Sequence, residues 1–188
     1  VEGLGFLGFR GLARTNWHND DNPIITSISN HDITKRGVIT ETYSLLGEAN
    51  GNFTSYIPSN FINKTNMNYV DQLLPNKVYK INNTFTNSIN GLESTSKEVT
   101  TSYDANNNLL ITTSVSKNGT TVERTEVFNV EYFPNTLSPT YIIGRLKKKN
   151  SSVTHNGETM TGEEIYTYNS AHLVSKIQKK GHLTNYLT

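Results

Sequence analysis

Four Asn-Gly pairs, Asn50-Gly51, Asn90-Gly91, Asn118-Gly119 and Asn156-Gly157, punctuate this chain between runs of β-branched and aromatic residues. A two-residue hairpin turn of type I′ needs positive φ at both central positions. Asn and Gly tolerate this best, and the twist of the turn matches that of paired strands. Helical periodicity is hard to find in the same stretches, whereas strand chemistry is general. The pairs therefore predict an all-β chain of antiparallel hairpins.

The third pair gives the most regular pattern. Folding NLLITTSVSK onto TTVERTEVFNVEYF at Asn118-Gly119 sets Lys117 opposite Thr120, Val115 opposite Val122, Ile111 opposite Glu126 and Leu109 opposite Phe128. Leu109, Ile111, Val115, Val122, Phe128, Val130 and Tyr132 then share a packed face. Thr112, Ser114, Ser116, Thr121, Glu123 and Thr125 share a wet one. The fourth pair joins TYIIGRLKKKNSSVTH to ETMTGEEIYTYN and sets Val153 opposite Met160; Gly144 and Gly162 read as bulges or frayed ends.

In the first half, GVITETYSLL and LPNKVYKINNTFTNSI read as strands, and GNFTSYIPSNFINKTNMNYVDQ as a turn of helix or an ordered loop. Pro23, Pro58 and Pro75 interrupt this half. No clean domain boundary emerges. The expected organisation is one β-rich segment over residues 1–188, with sub-units at 1–90 (irregular) and 91–188 (hairpins).

Composition agrees. Of 188 residues, 34% are hydrophobic and 18% charged, which leaves a large neutral polar fraction, while ten Tyr and seven Phe supply packing material. Disordered chains carry more charge and fewer aromatics. A net charge of +1 gives no broad steering field, so no nucleic-acid partner is expected. The run Lys147-Lys148-Lys149 reads as a solvated strand end or turn. Cysteine is absent, which excludes disulfides and thiolate metal sites. No stretch is apolar for long enough to form a helical membrane span. A start at Val1 suggests a processed protein or part of a larger one.

Gly3, Gly5 and Gly8 spell G-x-G-x-x-G, the pattern of a dinucleotide loop. That loop works only between a strand and a helix whose N-terminus meets a pyrophosphate. Here Val1 and Glu2 alone precede Gly3, and FRGLARTNWHNDDNP carries no helical apolar stripe, so no nucleotide cofactor is expected. His18, Asp20 and Asp21, with His31 and Asp32 nearby, offer nitrogen and oxygen ligands. A polar loop anchored by Trp17 explains them better than a metal centre. Glu163 and Glu164 project to opposite faces of any strand and cannot act as an acid–base pair. No nucleophile elbow, phosphate loop or zinc-protease motif is present. The expected inventory has no catalytic residue, no cofactor and no metal, and the protein is not expected to be an enzyme.

One pattern occurs twice. Tyr103-Asp104-Ala105-Asn106-Asn107-Asn108-Leu109 reads Y-D-x-x-N-x-L, and Tyr166-Thr167-Tyr168-Asn169-Ser170-Ala171-His172-Leu173-Val174 reads Y-x-Y-N-x-x-H-x-V. Both resemble the repeat Y-x-Y-D-x-x-G-x-L of the RHS/YD-repeat family. The opening GLGFLGFRG is similar to the G-x-G-F-x-G-F segment of the YD-rich B and C components of insecticidal toxin complexes, although Leu4 stands where a basic residue is usual. Tyr43 and Gly47 match only the repeat's Tyr-to-Gly spacing. In physical terms the Tyr packs on the sheet, the Asp starts a tight turn by accepting backbone N–H bonds, a residue at positive φ follows, and the Leu begins the next strand. Asn107 and His172 stand where Gly is usual; both residue types are enriched at positive φ. Asn169 replaces the Asp. In the opening stretch the glycines are expected to let an aromatic-rich strand bend, with Phe6 and Phe9 as anchors.

The resemblance implies a structural segment of a bacterial, secreted or cell-surface protein. In that family strands spiral into a hollow β-shell enclosing a toxic C-terminal effector. The implied partners are further YD repeats of the same polypeptide and the enclosed effector. The alternative reading is a surface binding module, an adhesin or carbohydrate-binding domain, since Tyr- and Asn-rich faces suit surface glycans. A metal-dependent hydrolase built on His18 and Asp20 comes third.

Overall fold

The computed structural model describes residues 8–16, 21, 23–49, 61–70, 79–90, 93–136 and 142–182. Eleven strands follow one another in hydrogen-bonded order: β1 (Gly11–Thr15), β2 (Ile25–Asp32), β3 (Val38–Leu46), β4 (Phe61–Val70), β5 (Lys80–Asn90), β6 (Glu93–Tyr103), β7 (Leu109–Asn118), β8 (Thr121–Tyr132), β9 (Leu146–His155), β10 (Glu158–Tyr168) and β11 (Val174–Lys180). Every pairing with a defined register is antiparallel. The only helical element among the described residues is a 3-10 turn at Ile33–Lys35, and none of their helices is long and apolar enough to cross a membrane. The chain resolves into two compact units, residues 1–98 with 118–120, and residues 99–117 with 121–188.

In the first unit, cross-strand rows explain where the core lies. Ala13, Ile28, Tyr43 and Lys64 form one row across β1–β4, and Thr15, Thr26, Leu45 and Phe61 form the next row on the same face. Ile28, Tyr43 and Leu45 are each 1% exposed, with Ala13, Ala49 and Phe61 packed against them. Each such side chain contributes about 1.5–3 kcal/mol through burial. Thr26 is equally buried and satisfies its hydroxyl by donating to the Gly47 carbonyl at 2.6 Å. GVITETYSLL and the KINNTFTNSI part of the other predicted strand are strands as expected. Residues 61–70, expected as loop or helical turn, are instead strand β4. Polar and apolar residues are mixed on both faces, so no clean alternation reveals them; their ladders with β3 and β5 hold them extended. Register shifts interrupt the β2–β3, β3–β4 and β4–β5 ladders, as they also interrupt β8–β9 and β10–β11.

The second unit holds the β9–β10 hairpin and most of the strands of the β7–β8 hairpin, whose turn at residues 118–120 belongs to the first unit. Asn156 (φ 50°) and Gly157 (φ 81°) both sit at positive φ, and Met160 pairs with Val153 as the sequence predicts. The other hairpin turns one residue later than predicted. β7 runs through Asn118 and β8 begins at Thr121, leaving Gly119 and Thr120 in the turn. Gly119 has φ 56°, whereas Asn118 is not at positive φ. The cause is non-local: the Gly119 N–H donates to the Ser94 carbonyl on β6 at 2.8 Å and keeps Asn118 in the ladder.

The predicted packed face is only partly packed. Val130 is 5% exposed, but Ile111 and Val122 are 43% and 52% exposed, and Ser114, assigned to the wet face, is buried. Alternation assigns a face; burial requires something lying over it. Gly162 is no bulge either. It pairs with Ser151 in unbroken register, and a Cβ there would lie 2.7 Å from the Ser151 Oγ, so the glycine serves close approach.

Candidate functional site

The two copies of the Tyr-Asp-like motif fold into the same turn. After β6, Asp104 Oδ1 accepts the backbone N–H groups of Asn106 and Asn108, both at 2.8 Å. After β10, Asn169 Oδ1 accepts those of Ala171 and Leu173, both at 3.0 Å. The backbone bonds match as well. Asp104 N–H donates to the Asn108 carbonyl and Asn107 N–H to the Asp104 carbonyl; Asn169 N–H donates to the Leu173 carbonyl and His172 N–H to the Asn169 carbonyl. Asn107 (φ 65°) and His172 (φ 62°) take the left-handed position where the repeat has glycine. In the first turn the Asp104 carboxylate gains a further donor, the Asn108 side-chain amide, at 3.0 Å.

Aromatic residues brace these turns. The Tyr132 hydroxyl donates to the Leu109 carbonyl at 2.9 Å, and burial raises its pKa. Burial also raises the pKa of Tyr103. Gly144, at φ 72°, lets the chain pass the Asn108 side chain; a Cβ there would lie 2.9 Å from Asn108 Oδ1. At the second turn the Arg145 guanidinium lies 5.6 Å from the Phe133 ring and 5.8 Å from the Tyr168 ring, while the two rings meet edge-to-face at 5.8 Å. The Arg145 Nη1 lies 3.1 Å from His172 Nδ1, within hydrogen-bond reach.

A second arrangement recurs: a Glu-x-Tyr pair on one strand with a lysine on the neighbouring strand. Tyr43 donates its hydroxyl to Glu41 at 2.9 Å; Lys64, directly opposite Tyr43, lies 3.7 Å from Glu41 and 5.1 Å from the Tyr43 ring centre. Burial, then the bond to Glu41, pushes the Tyr43 pKa up to about 12. In the second unit Tyr166 donates to Glu164 at 2.5 Å, and Lys149, opposite Glu164, stands 5.3 Å from the Tyr166 ring centre. Lys179 on β11 reaches Glu164 at 2.9 Å. The Tyr166 hydrogen bond, and then Lys179, hold the Glu164 pKa below its ordinary range. Residues i and i+2 of a strand share a face, so Glu-x-Tyr is the spacing that lets the hydroxyl reach the carboxylate. ETY and EIY were visible in the sequence; the lysines that complete them depend on strand register. Both arrangements organise and neutralise charge within the sheet.

The other sequence candidates separate. Gly3, Gly5 and Phe6 lie outside the described residues, as do Trp17, His18, Asp20, Asn50-Gly51 and Gly91. Gly8 has φ 95°, a conformation suited to glycine, and Phe9, expected as an anchor, is 66% exposed. After Gly8 comes strand β1, not the helix a dinucleotide loop needs. His31 is engaged at both ring nitrogens: Nδ1 donates to the Gly37 carbonyl at 3.0 Å and Nε2 shares a hydrogen bond with Ser29 Oγ at 2.9 Å. Asp32 caps the 3-10 turn through Thr34, whose hydroxyl bond lowers the Asp32 pKa. Among the described residues no group of three or more His, Cys, Asp or Glu could hold a metal ion. The lysine run lies at the start of β9, where Lys147 pairs with Glu131, Lys148 with Glu163 and Lys149 with Glu164. Glu163 and Glu164 thus meet different lysines.

No protein-family profile matches the chain, and no curated protein or solved structure matches it.

Proposed function

We propose that this chain is a structural wall segment of an RHS/YD-repeat-like β-shell in a secreted or cell-surface bacterial protein. Its role is to enclose an effector polypeptide rather than to perform catalysis. The observation that carries this reading is the shared turn of Asp104 and Asn169. The positions that resemble the repeat are those that make the turn, down to the left-handed Asn107 and His172. Consecutive antiparallel hairpins suit the role, because each turn delivers the next strand beside the last. The Glu-x-Tyr-Lys clusters brace neighbouring strands where a thin wall has little hydrophobic core.

Electron cryomicroscopy of the intact protein carrying this chain tests the proposal. The expected result is a closed shell with this sheet in its wall and polypeptide density inside. A particle with no lumen, or one in which both faces of the sheet meet bulk solvent, overturns it.

A further inference from the structure

Two Asn-Gly pairs with the same local chemistry sit in different surroundings. At the tip of the β9–β10 hairpin, Asn156 and Gly157 are the two turn residues, both exposed, and every residue from His155 to Met160 is exposed as well. Among the described residues the Gly157 N–H has no acceptor. At the β7–β8 hairpin, Asn118 is a strand residue and the Gly119 N–H donates to the Ser94 carbonyl at 2.8 Å. Both glycines have open space around the position a Cβ would take, so steric access does not distinguish them.

We propose that Asn156 is a site of spontaneous modification by succinimide formation, and that the hydrogen bond to Ser94 protects Asn118 from the same reaction. The Gly157 backbone nitrogen loses its proton and attacks the Asn156 side-chain carbonyl carbon. The new carbon–nitrogen bond closes a five-membered imide as the side-chain carbon–nitrogen bond breaks and ammonia leaves. Water then opens the imide at either carbonyl, giving aspartate or isoaspartate; no oxidant, metal or enzyme takes part. A Gly157 nitrogen with no acceptor can deprotonate and turn toward the side chain once the tip opens. The Gly119 nitrogen, in the turn, has its proton committed to the Ser94 carbonyl. IsoAspartate adds a methylene to the main chain of a two-residue turn, so the His155–Glu158 pairing loosens. Either product places a new carboxylate beside Glu158.

The test is incubation of the folded protein in mildly alkaline buffer at physiological temperature. Peptide mapping then resolves asparagine, aspartate and isoaspartate at both positions. A parallel sample unfolded in urea provides the reference in which both pairs react alike. The expected result is conversion several-fold faster at Asn156 than at Asn118 in the folded protein, with the two rates drawing together in urea. Equal rates in the folded protein overturn the proposal. So does an Asn156 that stays intact for as long as the unfolded chain takes to convert.

Discussion

Asp104 and Asn169, 65 positions apart in the chain, hold the same turn: each side-chain Oδ1 accepts the backbone N–H groups two and four residues ahead. The carboxylate bonds are shorter, 2.8 Å against 3.0 Å, as expected when the acceptor is charged. Asp104→Ala should cost about 1.5–3 kcal/mol, the range for hydrogen bonds to charged groups. Asn169→Ala should cost about 0.5–1.5 kcal/mol, since its acceptor is neutral. Asn169→Asp should leave the turn intact and raise the urea midpoint. Equal losses for the two alanine variants would show that charge does not strengthen the first turn.

The offset turn of the β7–β8 hairpin yields a contrast. Asn156→Val forces a β-branched residue to positive φ and should cost about 1–2 kcal/mol. Asn118→Val places valine in an exposed strand position and should change stability by no more than about 0.5 kcal/mol. Gly119→Val and Gly157→Val, both at positive φ, should each cost about 1–3 kcal/mol. Denaturant midpoints of the four variants check the pattern; a large loss in Asn118→Val would put the turn back at Asn118-Gly119.

Glu164 makes the second unit sensitive to acid. Its folded pKa is lowered from 4.5, so its contribution is complete above about pH 4.5 and is lost as pH falls through the folded value. Lys149 and Lys179 have pKa values raised from 10.5, the first chiefly by Tyr166 and the second by Glu164. Their contributions are present below that pH and lost as pH rises through the raised values. Glu164→Gln should flatten the acid limb of a stability–pH profile while Tyr166 keeps an acceptor. An unchanged acid limb in this variant would show that the cluster makes no contribution there.

Tyr43 should be the tyrosine to follow at high pH. Its folded pKa of about 12 lies above the ordinary 10.0, so the unfolded chain ionises first and stability falls as pH rises between the two values. An ultraviolet titration of the protein minus that of Tyr43→Phe should show one phenolate appearing near pH 12. Tyr43→Ala, which empties the centre of the first unit's core, should cost about 3–5 kcal/mol by analogy with large aromatic deletions. A difference titration centred near 10 would mean that Tyr43 is not buried.

By itself the sequence determined the fold class, the fourth hairpin and the chemistry of the twin turns. Each depends on residues close along the chain: Asn156-Gly157 carries its own backbone preference, and Asp104 or Asn169 reaches amides only two and four residues away. Such interactions close short loops and are readable from spacing alone. Tertiary structure decided the rest. Asn118 stays in β7 because Ser94, on another strand, accepts the Gly119 N–H. Residues 61–70 become a strand because β3 and β5 pair with them on either side. Lys64 meets Tyr43, and Lys149 and Lys179 meet Glu164, because the ladders set those rows in register. Burial follows the same division: Ile111 and Val122 have the right alternation for a core and remain exposed, whereas Ile28 and Tyr43 meet across a strand pair and are covered. A side chain's face is a local property, but its burial depends on which distant segment packs above it.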